Sequence, residues 1–161
     1  PQVLLEGNHE QRFRRPTNIP WALWRIVDPY MWFEIYKRNI QWVPYSNQPN
    51  KVFRLGKLAF IHGFSCNEYA SKNEALAFGC VVHGHTHRIS QFQPKASYTS
   101  HTGFNIGCLC KLDLEYQTSG PPRGWAQGFA YGYIFKSGDF SLYQVRLIGD
   151  EFVIEGKVYR R

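Results

Sequence analysis

The 161-residue sequence predicts an α/β fold, and three observations predict it. Apolar runs of strand length, bounded by Gly, Pro, Asn and Ser, recur from one end of the chain to the other. Segments between them place apolar residues at helical spacing instead. Three of the apolar runs also end in Gly and His, and in layered α/β folds ligands collect at the carboxyl ends of strands. With 43% hydrophobic and 17% aromatic residues the chain has the apolar surface for a core. It therefore reads as one compact domain over residues 1–161, and intrinsic disorder is excluded.

Gln2–Leu5 reads as a short buried strand running into the turn Glu6-Gly7-Asn8. Glu10–Arg15 reads as a helical turn stopped by Pro16. Over Trp21–Lys37, Leu23, Ile26, Val27, Tyr30 and Phe33 fall at helical spacing, which predicts one or two helices interrupted near Pro29. The aromatic rings of Trp21–Trp42 are expected in the core. Ile40–Pro44, Val52–Leu55 and Leu58–Ile61 read as strands, the last running straight into His62-Gly63. Ser71–Phe78 predicts a short helix, and Gly79–Val82 a buried strand ending at His83-Gly84. The remainder reads as β: Phe104–Ile106, Phe129–Phe135, Phe140–Leu147 and Glu151–Tyr159, with Gly138-Asp139 and Gly149-Asp150 as hairpin turns and Ser119–Pro122 as a loop.

No apolar run approaches the ~20 residues of a membrane span. The start Pro1–Glu6 has no basic region, apolar stretch or cleavage site of a secretory signal, and its lack of an initiator Met points to a processed chain or a fragment. Cys66, Cys80, Cys108 and Cys110 show no CxxC spacing; they read as buried free thiols of a reducing compartment. The net charge is +7, of which +5 lies within residues 1–60, at Arg12, Arg14, Arg15, Arg25, Lys37 and Arg38 among others. Such an excess means either a solvated basic face or an anionic substrate, phosphate first in line.

The histidines carry the chemical signal. His85 and His87 are two apart, a spacing that in an extended chain puts both imidazoles on one side, and Gly84 is expected to let the backbone approach closely. Neutral imidazole is the commonest nitrogen ligand of metals. His62, at another strand end, and Asn8-His9, at a third, add to the count. His83 is expected to be packed or to support a ligand, and His101 to lie at the surface.

The ordered set Gly7-Asn8-His9-Glu10, His62-Gly63 and Gly84-His85-Thr86-His87-Arg88 resembles the last three of the five motifs of calcineurin-like metallophosphoesterases. Ile40–Tyr45, Asn105–Cys108 and Trp125–Phe129 look like the phage and bacterial branch of that family, so the resemblance covers most of the chain. It implies a sandwich of two mixed sheets flanked by helices, with the first strands missing. It also implies two divalent metals drawn from Mn²⁺, Zn²⁺, Fe or Ni²⁺, and a cytoplasmic setting in a bacterial or phage-infected cell. On this resemblance Asn8, His62 and His85 match ligands of one metal and His87 a ligand of the other. His9 matches the non-ligand histidine that stabilises or protonates the departing oxygen, with Glu10 as its orienting neighbour. Arg12 reads either as a donor to a substrate phosphate or as part of an exposed basic helix face, and Arg88 either as such a donor or as structural. The metal pair would clamp the phosphate and lower the pKa of a bridging water.

The family's first two motifs, Asp-x-His and Gly-Asp-x-x-Asp, are absent before Gly7. The expectation is therefore the C-terminal part of an enzyme that hydrolyses phosphate esters, phosphodiesters first and nucleic acid among them, and that binds at most one metal well in this chain. The alternatives are a catalytically incomplete phosphate- or nucleic-acid-binding module and a protein-phosphatase-like phosphomonoesterase.

Overall fold

The computed structural model describes residues 1–14, 20, 23, 26–48, 51–95, 101–112 and 124–160. Arg15, Trp21, Trp24, Arg25 and the expected loop Ser119–Pro122 lie outside the described residues. Two compact units emerge, Pro1–Phe53 and Arg54–Arg161.

The first unit holds β1 (Gln2–Leu5), α1 (Asn8–Arg14), α2 (Pro29–Trp32) and β2 (Ile40–Val43). β1 and β2 pair in parallel, from Gln2 opposite Ile40 to Leu5 opposite Val43. A parallel pair needs a long crossover, and α1 and α2 lie within it. Glu6 continues the pairing through its N–H to Val43 O at 2.9 Å. Its buried carboxylate accepts the Tyr45 N–H at 2.8 Å.

α2 starts where Pro29 can start it: Asp28 caps it, accepting the Tyr30 N–H at 3.0 Å, and Pro29 occupies the first turn, where no N–H is needed. The helix ends at Trp32, five residues short of the expected Lys37, because Glu34 takes a left-handed φ of 48°. A single turn covers only one side. Ile35 is fully buried, while Trp32 is 52% and Tyr36 90% exposed, so the aromatic core expected for this stretch is only partly realised.

The second unit is built on a five-stranded mixed sheet in the order β3 (Phe53–Leu55), β4 (Leu58–Phe60), β5 (Val81–His83), β7 (Gly103–Ile106), β6 (Ile89–Phe92). β4, β5 and β7 are mutually parallel, and β6 runs antiparallel to β7. The helix α3 (Ala70–Phe78) makes the crossover from β4 to β5 and packs against β5, β6 and β7. On the other face Leu58, Cys80, Val82 and Phe104 form a buried cluster with Phe60, Ile106, Phe140 and Leu142. The last two come from β9 (Phe140–Arg146), which pairs antiparallel with β8 (Gly128–Ile134). Val81 and Ala59, one residue out of phase with that cluster, are fully buried as well. Burial on both faces explains why these strands read as continuous apolar runs.

Two strands depart from expectation. Ile89–Phe92 is a strand where none was expected. Glu151–Tyr159 is a hairpin of β10 (Glu151–Ile154) and β11 (Lys157–Arg160), folded at Glu155-Gly156 with φ of 49° and 76°. Both central residues are left-handed, which is the two-residue turn that matches strand twist. The α/β class stands, with a mixed sheet and few helices. No helix among the described residues is long and apolar enough to cross a membrane.

Candidate metal centre

Because β4, β5 and β7 are parallel, their carboxyl ends share one edge of the sheet. His62 follows β4, His85 and His87 follow β5, and Cys108 and Cys110 follow β7. The Gly84 N–H donates to His62 O at 2.9 Å, tying the first two strand ends together.

His62 Nε2 lies 3.1 Å from His85 Nδ1, the rings meeting edge-on with centroids 5.0 Å apart. The other nitrogen of His85, Nε2, lies 3.1 Å from Cys66 Sγ. Both ring nitrogens of His85 are thus engaged, one by an imidazole and one by an exposed thiol. The loop carrying His62 and Cys66 is held by Glu74 of α3, whose buried carboxylate accepts the N–H groups of Phe64 at 2.7 Å and Ser65 at 2.8 Å. Gly63 is the tight glycine here. Its φ is +113°, and a Cβ on it would stand 2.9 Å from His85 Cβ. Gly84, expected to allow a close approach, has nothing nearer than 3.8 Å to such a Cβ.

The His-x-His segment is not extended. β5 ends at His83, and both His85 (φ 67°) and His87 (φ 57°) are left-handed. Two such residues in one short loop are uncommon away from functional sites. Between them Thr86 is buried and accepts a hydrogen bond from Asn105 Nδ2 of β7, which locks the loop to the neighbouring strand. Asn105 Oδ1, also buried, has no partner among the described residues.

His87 meets other neighbours. Its Nδ1 lies 3.9 Å from Cys110 Sγ, and its ring meets Trp125 edge-on at 4.1 Å between centroids. Among the described residues, the donor atoms of His87, Cys108 and Cys110 all lie within 4.8 Å of one another. Burial, and then the adjacent Cys110, push the Cys108 thiol up to about 11. The expectation that these cysteines are buried thiols needs correction, since Cys66 is exposed and Cys108 and Cys110 are half-buried beside a histidine.

His83 is packed, as expected. Its Nδ1–H donates to Gly84 O at 3.2 Å, which leaves Nε2 to accept from the Ser71 hydroxyl at 3.3 Å. Burial lowers its pKa below the usual histidine value. Arg88 is half-buried, and its side chain lies against Gly124. Asn8, His9, Glu10 and Arg12 belong to the first unit, all on α1. There His9 and Arg12 are exposed, and Glu10 Oε2 accepts the Gly7 N–H at 2.9 Å.

Sequence reasoning missed Cys66, Glu74 and Trp125, and it set Cys108 and Cys110 aside as free thiols rather than metal ligands. For the two later cysteines the signal was present: they follow an apolar strand, as the histidines do. Comparisons with protein-family models, with curated proteins and with solved structures find no match to this chain.

Proposed function

We propose that this chain serves metal-dependent hydrolysis of a phosphate ester, a phosphodiester first, with His62 and His85 as metal ligands. The observation that carries the reading is the 3.1 Å between His62 Nε2 and His85 Nδ1 at the ends of adjacent parallel strands. Two imidazole nitrogens sharing one ion, each bonded at about 2.0–2.1 Å, sit roughly 3–3.4 Å apart. The donors present therefore fit a divalent cation.

Such an ion, when bound, polarises phosphate oxygens and activates water. The residues of the chain orient it. With Cys66 Sγ, 3.1 Å away, accepting the Nε2–H of His85, the ring would take the tautomer that turns the Nδ1 lone pair toward His62. Glu74 holds the loop on which His62 and Cys66 sit. The motif resemblance adds Asn8 as a further ligand, His87 as ligand of a second ion, His9 and Glu10 as the proton-transfer pair, and Arg12 and Arg88 toward phosphate. These roles, and membership of the calcineurin-like metallophosphoesterases, rest on the sequence motifs.

Calorimetric titration with Mn²⁺ or Zn²⁺ tests the proposal. Binding is expected, and His62→Ala and His85→Ala should each weaken it at least tenfold while the far-ultraviolet circular dichroism stays unchanged. Binding indifferent to both substitutions overturns the reading. In a protein carrying all five motifs, His9→Ala should keep the metal and lower turnover on an aryl phosphodiester by about 10²–10⁴-fold.

A second reading is favoured by the exposed rings of Trp32, Phe33 and Tyr36 beside Lys37 and Arg38 in the first unit. Exposed aromatics next to cations suit stacking on single-stranded nucleic acid, at about 1–3 kcal/mol per base. Binding of an oligothymidylate that weakens steeply with salt, and that Trp32→Ala and Tyr36→Ala weaken further, would support it.

A further inference from the structure

The resemblance leaves His87 as a lone ligand of a second ion, yet two thiols stand beside it. The main chain fixes all three. The Gly107 N–H donates to Arg88 O at 2.9 Å and the Ala126 N–H to His87 O at 2.8 Å. Ala126 O in turn accepts the Cys108 N–H at 3.1 Å, and Cys108 O accepts the Gly128 N–H at 2.9 Å. Gln127 Nε2 donates to Cys110 O at 2.8 Å. Residues 126–128 thus lash the loop after β5 to the turn after β7, and at Gly107 a Cβ would stand 2.6 Å from Ala126 O.

From the donor set and its geometry we infer that His87, Cys108 and Cys110 form a site for one thiophilic divalent cation of the zinc class. In a tetrahedral centre with bonds of about 2.3 Å to sulfur and about 2.0–2.1 Å to nitrogen, neighbouring donors stand roughly 3.5–3.8 Å apart. The 3.9 Å between His87 Nδ1 and Cys110 Sγ, and the 4.8 Å that bounds the whole set, close to that spacing with small side-chain rotations. Two thiolates and an imidazole select a borderline-soft ion over Mg²⁺ or Ca²⁺. Among the described residues the site has three protein donors, and three donors leave the fourth position of a tetrahedral centre for water or a substrate oxygen, the pattern of catalytic rather than purely structural zinc. Binding takes the protons off both thiols, so two protons leave as two Zn–S bonds form. Trp125 covers the edge of the His87 ring and keeps its rotamer.

This site does not depend on an ion at His62 and His85, and the experiment separates the two. The chain is titrated with Co²⁺ under a non-thiol reductant, and the sulfur-to-cobalt charge-transfer band in the near ultraviolet is followed. The band should appear, fall by at least half in Cys108→Ser and in Cys110→Ser, and need at least tenfold more Co²⁺ in His87→Ala. It should persist in Cys66→Ser, His62→Ala and His85→Ala. Because a serine at the strand end could disturb folding, zinc-edge X-ray absorption on the unsubstituted chain with one equivalent of Zn²⁺ provides a second readout. Two sulfur ligands at about 2.3 Å are expected there. No charge-transfer band, a band unchanged in both serine variants, or a zinc shell of nitrogen and oxygen alone overturns the inference. Loss of the band in Cys66→Ser instead would place the thiolate at His85 and overturn it too.

Discussion

Gly63 and Gly84 flank the same pair of histidines, yet only one of them has to be glycine. A methyl group at position 63 meets a left-handed φ of +113° and His85 Cβ at 2.9 Å. Gly63→Ala should therefore destabilise the chain by about 1–3 kcal/mol in urea unfolding. It should also weaken metal binding, because the residue that has to move is His85. Gly84→Ala meets only ordinary contacts, the nearest at 3.8 Å, and should change the midpoint far less. Equal losses from the two would mean that the loop after β4 does not pack on His85. Thr86 offers a second check at this scale. Thr86→Val removes the acceptor of a buried Asn105 amide and should cost about 1–3 kcal/mol, with both flanking left-handed histidines loosened. The histidines themselves could be read from sequence because Gly and His at the end of an apolar run is a local pattern. Cys108 and Cys110 share that strand-end position, but their pairing with His87, like the contacts of Cys66 and Glu74, could not be read, because it is fixed by which strands become neighbours.

Among the elements, the turn at Glu155-Gly156 shows where local pattern fails. Val153 and Ile154 before the turn and Val158 and Tyr159 after it read as one continuous strand, and glutamate carries none of the chemistry that announces a left-handed turn. The structure bends there all the same, with φ of 49° at Glu155. Glu155→Asn should therefore raise stability by about 0.5–1 kcal/mol, measured as the thermal midpoint, since asparagine tolerates that conformation and Glu155 loses only an exposed bond from Tyr133. β6 escaped for the opposite reason: Ile-Ser-Gln-Phe is too short and too polar to stand out, and its place depends on β7. β4 and β5 were readable because burial on both faces leaves an unbroken apolar run. The helix expected to Lys37 failed where a backbone reversal at Glu34, invisible in its apolar spacing, ended it.

For the whole molecule, the proposed ions act as ligands of the folded state. An ion present at one hundred times its dissociation constant adds about 2.7 kcal/mol when the unfolded chain does not bind it. Zn²⁺ should thus raise the thermal midpoint by several degrees, a chelator should return it, and Mg²⁺ should do much less if thiolates are among the ligands. A midpoint indifferent to Zn²⁺ would mean that the folded chain offers no preformed site. The charge distribution belongs to this scale as well. The excess of +5 within residues 1–60 accompanies the exposed rings of the first unit, whereas residues 61–120, which carry His62, His85, His87 and the four thiols, are electrically balanced. Attraction of an anion to that balanced stretch would have to come from bound cations more than from side-chain charge.

The strand order has a bearing on how the chain acquires its shape. β6 leaves the end of β5 but does not pair with it; β7 takes the place between them. The neighbouring pair β6–β7 is antiparallel and close in sequence, so it can zip up as a local ribbon before meeting anything else. That ribbon already sets His87 beside Cys108, since the Gly107 N–H meets Arg88 O one step beyond the Ile89–Ile106 pair, whereas docking it onto β5 is a slower, non-local event. During refolding, the appearance of the sulfur-to-cobalt band would then clock the zipping of the β6–β7 ribbon, and a metal waiting in solution would act as a latch on that first seam.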